Sequence, residues 1–120
     1  MKQLTKAEEE IMQILWELKE ANVASVIKKM PEPKPAYNTV STIVRILENK
    51  EFVDHRQEGK GYIYFPIVKK ETYSNQSMNQ LMNNYFNGSF KSMVSFFMKK
   101  NDMSSKDLEA ILNEIDKKDS

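Results

Sequence analysis

The sequence contains no cysteine, one histidine, one tryptophan and three glycines in 120 residues. Without cysteine, disulfide frameworks, thiolate metal sites, iron–sulfur clusters and cysteine nucleophiles are excluded together. The lone histidine, His55, sits on a predicted strand beside a turn. There it reads as a structural or phosphate-adjacent group, and it leaves metal binding by clustered histidines without ligands. The glycines stand at 59, 61 and 88, and Gly59-Lys60-Gly61 lacks the strand–loop–helix context of a phosphate-cradling loop. Consecutive acids at Glu8, Glu9 and Glu10 diverge around a helix, which predicts a solvated face and not an acid–base pair. No apolar run approaches the roughly 20 residues that span a bilayer, and the opening residues pass into acids instead of an apolar signal core. A soluble, cytoplasmic protein is expected, without membrane insertion, catalytic residues, metal or cofactor.

Charge is present but nearly cancels: 18 basic side chains face 17 acidic ones, for a net of +1. The total hides a pattern. Residues 1–20 carry three lysines against five glutamates, a net of −2, and residues 71–120 carry six basic against seven acidic groups, a net of −1. Between them, residues 21–70 hold nine basic and five acidic groups, a net of +4. A basic middle between acidic flanks is compatible with a phosphate-facing surface.

Thr5-Lys6-Ala7-Glu8 has the spacing of a capping box, and Ile11, Ile14, Leu15 and Leu18 follow at i, i+3, i+4 and i+7, so a first helix begins here. Asn22 can cap a short second helix over Ala24 to Met30, which the proline-rich Pro31-Glu32-Pro33-Lys34-Pro35 ends. A third helix from about Ala36 to Asn49 repeats the stripe with Val40, Ile43, Val44 and Leu47. The period then changes. Phe52 to Arg56 and Tyr62 to Ile67 are β-branched and aromatic, and they flank Gln57-Glu58-Gly59-Lys60-Gly61, whose two glycines suit a hairpin turn.

If the third helix buries its stripe, Asn38, Ser41, Thr42, Arg45 and Asn49 face outward, with Tyr37 at the helix start. Amide, hydroxyl and guanidinium groups are what base edges in a major groove require. A short helix, a turn and an outward polar helix make a helix-turn-helix, whose second member enters the groove. The base-reading candidates are therefore Asn38, Thr39, Ser41, Thr42 and Arg45, with Thr39 alternatively bracing the helix start. Arg56 and Lys60 bracket the hairpin turn and, with Lys34 and Tyr37, are candidates for phosphate contacts, which set position and affinity without carrying sequence information.

The last 50 residues hold three amphipathic stripes. Met78, Leu81, Met82 and Tyr85 lead to a cap at Gly88; Phe90, Met93, Val94 and Phe97 follow Ser89; Leu108, Ile111, Leu112 and Ile115 follow Ser104. Three short one-sided helices either form a private core or share one with a second copy. The sharing alternative leaves less apolar surface in water and would set two reading helices on a palindromic DNA site.

Several strings resemble the penicillinase repressor family, which includes the β-lactamase and methicillin-resistance repressors and copper-responsive relatives. They are Leu4-Thr5-Lys6-Ala7-Glu8 with Ile14-Leu15-Trp16, Tyr37-Asn38-Thr39-Val40-Ser41-Thr42-Ile43 with Arg45, the run from Arg56 to Pro66, and Phe86 to Val94. The resemblance implies a mainly α fold with a small β-hairpin wing. Residues 1–70 would form a winged-helix DNA-binding domain with a recognition helix over about 36–49 and a wing over about 56–62. Residues 71–120 would form a three-helix dimerisation domain. The implied function is that of a homodimeric repressor on an inverted-repeat operator of double-stranded DNA. In antibiotic-sensing members a membrane-bound sensor protease relieves repression by cutting between an asparagine and a phenylalanine. Alignment on Ser92-Met93-Val94 puts that bond at Phe96-Phe97, with Phe96 in place of the asparagine. Copper-sensing members use a C-terminal cysteine motif that is absent. The alternative function is a winged-helix protein-interaction module that never reads DNA, which salt-dependent duplex binding would distinguish.

Overall fold

Thr5 accepts a hydrogen bond from the Glu8 amide at 3.2 Å while the Glu8 carboxylate takes the Thr5 amide at 2.8 Å, and this reciprocal cap starts α1, Lys6–Leu18. The computed structural model describes residues 2–119. Ile11, Met12 and Leu15 of α1 are fully buried. Glu8 is buried too, because Lys50 Nζ reaches its carboxylate at 2.7 and 3.0 Å, so the solvated face expected for Glu8 to Glu10 does not extend to Glu8.

Asn22 caps α2, Val23–Lys29, by accepting from the Ser25 amide at 2.8 Å. The proline-rich turn leads to α3, Tyr37–Asn49, which buries Val40, Val44 and Leu47 and leaves Ile43 partly covered. Glu51 then takes a positive φ of 66°. This turn lets the Phe52 amide bond the Leu47 carbonyl at 2.9 Å and puts the Phe52 ring in the core.

Strands β1, Val53–Glu58, and β2, Gly61–Pro66, pair antiparallel from Val53↔Pro66 to Glu58↔Gly61, so the turn is Gly59-Lys60 alone. Only Gly59 there has a positive φ, 62°, which suits the first central position of a two-residue hairpin; Gly61 begins β2 without needing that freedom. Ala21 adds a bridge to Tyr64, with both amide–carbonyl distances at 2.9 Å, and so extends the sheet by one step at the outer edge of β2.

Helices α4, Lys70–Tyr85, α5, Phe90–Lys100, and α6, Ser105–Asp119, follow. The chain divides into two compact units, Met1–Asn75 and Gln76–Ser120. The division falls inside α4, five residues beyond the expected 70/71 boundary, because the first turn of α4 belongs to the first core. Tyr73 is buried there, its ring 5.5 Å from Phe52, with its hydroxyl accepting from the Leu4 amide and donating to Glu9. Trp16 Nε1 fixes the approach to α4 by donating to the Val68 carbonyl at 2.9 Å.

In the second unit α4 ends at Tyr85, three residues before Gly88, and both Asn87 and Gly88 take positive φ. Ser89 caps α5 by accepting from the Ser92 amide. Ser104 opens α6 through a reciprocal pair with Asp107; the Ser104 amide and hydroxyl hold the Asp107 carboxyl below its ordinary value. Among the described residues, no helix is long and apolar enough to cross a membrane.

Candidate nucleic-acid interface

The outward face of α3 is polar because its apolar positions recur at helical spacing on the other side. Asn38, Thr42, Arg45 and Asn49 are exposed and Ser41 is half-buried. Thr42 Oγ1 donates to the Asn38 carbonyl at 2.8 Å, which fixes the hydroxyl and leaves its oxygen as an acceptor toward solvent. Between α3 and the hairpin lies a cavity of about 420 Å³ lined by Asn22, Val23, Ala24, Tyr37, Asn38, Ser41, Arg45, Lys60, Gly61, Tyr62 and Tyr64. Arg45 and Lys60 approach it from opposite walls, and neither has an ion-pair partner among the described residues.

Five of the nine predicted DNA-contact residues therefore line one concave surface: Tyr37, Asn38, Ser41, Arg45 and Lys60. Thr42 stands on the exposed face of α3 beside it. Thr39 lies about a quarter-turn around the helix from Asn38 and does not line the cavity. Lys34 is engaged elsewhere. Its Nζ donates to the carbonyls of Ile27, Lys28 and Met30 at 3.2, 2.9 and 2.7 Å, which closes the C-terminal end of α2 and uses all three ammonium donors.

Arg56 lies on the face of the hairpin away from the cavity. Side chains alternate across a strand, and Tyr62 and Tyr64 on the α3 side stand opposite Gln57 and His55 in the register. Arg56 stands opposite Ile63, on the other face, where its guanidinium pairs with Glu20 and lies 3.7 Å from Glu58. The pairing is reflected in both groups. Hydrogen bonding to Glu20 raises the Arg56 pKa, and the same bond lowers that of Glu20.

His55 faces α3. Its Nδ1 is 2.6 and 2.8 Å from the two carboxylate oxygens of Glu48, and a carboxylate only accepts, so Nδ1 carries the proton. The ring packs edge-on against Tyr62 at 4.9 Å and tilted against Tyr64 at 5.7 Å. Burial raises the pKa of the Tyr64 phenol, with the Glu48 charge adding to the effect and Arg45 opposing it. The side chains of Glu48, Asp54 and His55 offer ligand atoms within 4.8 Å of one another, but the Nδ1 proton already serves the Glu48 hydrogen bond.

Asn22, Val23, Ala24, Gly61, Tyr62 and Tyr64 complete the cavity lining, and none of them is a site candidate from the sequence. For Tyr62 a signal existed: it precedes Tyr64 by two residues on one strand and so shares its face. Asn22 was legible only as a cap.

In the second unit no described side chain from residue 76 to 116 is buried. Phe90 and Phe97 are 61% and 57% exposed. An apolar groove of about 550 Å³ is lined by Met78, Leu81, Phe86, Met93, Val94, Phe96, Phe97, Met98, Met103, Leu108 and Ile111. Of the stripe residues, Met82, Tyr85, Phe90, Leu112 and Ile115 lie outside it.

A helix-turn-helix whose second helix presents a polar face beside a two-stranded wing defines a winged-helix DNA-binding regulator. The chain belongs to the penicillinase repressor family, whose model matches residues 4–117. It is accordingly a DNA-binding transcriptional repressor and not an enzyme. It is 27% identical over 117 residues to the methicillin resistance regulatory protein MecI of Staphylococcus aureus, covering 97% of this chain and 95% of MecI. To the penicillinase repressor of Bacillus licheniformis it is 26% identical over 110 residues, covering 91% and 86%. Among solved structures, monomeric Bacillus licheniformis BlaI in complex with the blaP half-operator matches with a TM-score of 0.50 and 27% identity, over 60% of this chain and 89% of that one. The DNA-binding domain of the repressor BlaI matches with a TM-score of 0.52 and 28% identity, over 59% and 88%.

Proposed function

We propose that the protein represses transcription as a homodimer on an inverted-repeat operator. Asn38, Ser41, Thr42 and Arg45 read base edges in the major groove, while Lys60 and Tyr37 hold the flanking phosphates. The observation that carries the dimer is the contrast between the two units. The first has a complete core, with nine side chains below 2% exposure, whereas no described side chain from residue 76 to 116 is buried. An apolar groove that a single chain leaves open is completed when a second copy contributes its own stripes. The net charge of +1 supports the same reading. Weak non-specific attraction makes tight binding depend on two half-sites engaged together.

Relief of repression by a membrane-bound sensor protease is part of this proposal. The Phe96-Phe97 bond lies inside α5, with both rings more than half exposed. A protease takes an extended backbone, so cutting there requires local unfolding of α5. A cut chain would lose part of the groove lining.

Sedimentation of the full chain, combined with gel-shift titration on a half-site and on the inverted repeat, tests the core of the proposal. A dimer that binds the repeat far more tightly than the half-site is expected. A monomer that binds both equally would overturn it. Persistence of the intact chain under full induction would remove the proteolytic step.

A further inference from the structure

His55 and Arg56 are neighbours on β1, point to opposite faces of the hairpin, and each meets a carboxylate from a different element. Glu48, near the end of α3, takes the His55 side. Glu20, in the linker between α1 and α2, takes the Arg56 side. The linker is held in place by the paired Ala21–Tyr64 hydrogen bonds, which set Glu20 beside β2 so that the Arg56 guanidinium crosses the Ile63 position to meet it. A two-stranded hairpin is marginally stable alone, and this one carries Lys60 at its exposed tip. The angle at which it leaves the body decides where Lys60 and Tyr62 stand relative to Asn38 and Arg45 across the cavity.

We propose that Glu20 and Arg56 are positioning residues for DNA reading: their ion pair sets the wing angle, and Arg56 does not contact phosphate. The inference rests on the reading that α3 and the wing engage one duplex together. It separates two effects of opposite sign. If only the charge mattered, Glu20→Gln would tighten DNA binding by removing a negative group near phosphate. If the pair positions the wing, Glu20→Gln weakens binding even though the protein becomes more positive.

The test uses the full chain and operator duplex at several salt concentrations. Glu20→Gln and Arg56→Gln should each weaken operator binding by about two- to fivefold, the scale of an exposed ion pair. The dependence of affinity on salt should keep the wild-type slope in both, whereas Lys60→Ala should flatten it by about 0.9, the contribution of one phosphate contact. Exchanging the charges, Glu20→Arg with Arg56→Glu, should recover most of the affinity lost in Arg56→Glu alone. The proposal is overturned if Glu20→Gln tightens binding, if Arg56→Gln flattens the slope as Lys60→Ala does, or if the exchanged protein binds as poorly as Arg56→Glu. Absence of salt-dependent duplex binding by the wild type would instead overturn the joint-engagement reading, and this inference with it.

Discussion

Lys50 Nζ sits 2.7 Å from one carboxylate oxygen of Glu8 and 3.0 Å from the other, joining the residue after α3 to the cap of α1 across 42 positions of sequence. Burial alone would raise the Glu8 pKa, but the Lys50 hydrogen bond and charge, with the hydrogen bonds from Thr5, outweigh it and the net shift is downward. A lowered folded-state value means that the carboxylate stabilises the fold above its ordinary value of 4.5 and that this contribution fades as pH falls through the folded value. Lys50→Met removes the partner and leaves a buried carboxylate, at a cost of about 1–3 kcal/mol at neutral pH. Urea unfolding at pH 7 and at pH 3 checks this. The gap between wild type and variant should narrow in acid.

Arg45 and Lys60 face the same cavity from a helix and a hairpin, and they should fail in different ways. Arg45→Ala should cost about 1–3 kcal/mol on the operator and little on random duplex, as loss of a bidentate base contact would. Lys60→Ala should weaken both duplexes about equally. Equal losses for Arg45→Ala on the two duplexes would remove it from base reading.

The groove of the second unit makes an association prediction. Leu81→Glu places a charge on its lining and should shift the full chain toward monomer in sedimentation equilibrium, with operator affinity falling toward that of a single half-site. The circular-dichroism signal of the first unit should be unchanged. A variant that remains dimeric would place the association surface elsewhere.

Tyr73 predicts where an independent DNA-binding fragment must end. A fragment of residues 1–75 retains its ring against Phe52 and its hydroxyl on Leu4 and Glu9, and should unfold cooperatively as a monomer. A fragment of residues 1–69 lacks it and should lose several kcal/mol, the usual scale for removing a buried aromatic side chain (~3–5 kcal/mol). Thermal melts of the two fragments make the comparison.

Element positions were legible because their determinants are local. Thr5 and Glu8, Asn22 and Ser25, and Ser89 and Ser92 each lie three residues apart, and the helical stripes repeat every three or four. The polar face of α3 followed from the same periodicity. The intramolecular partners of Lys34 and Arg56 were not legible, because charge and neighbourhood in sequence say nothing of a partner. Lys34 folds back onto the end of α2, and Arg56 meets an acid 36 positions earlier. The position of Tyr73 in the first core was hidden for a similar reason: the amphipathic run of α4 gives no sign that its first turn belongs with Leu4 and Glu9.

The sequence by itself determined where helices and strands begin, which helix presents amides and hydroxyls outward, and that thiol chemistry is absent, because these depend on residue type and on spacings within one or two turns. Tertiary structure decided which polar side chains are engaged by other residues and which face the cavity. Glu8 is buried against Lys50, Arg56 is held by Glu20 and His55 by Glu48, while Arg45 and Lys60 face the cavity between α3 and the wing. The physical reason is that an ion pair depends on the distance between two groups, and only the packed chain sets that distance for residues far apart in sequence.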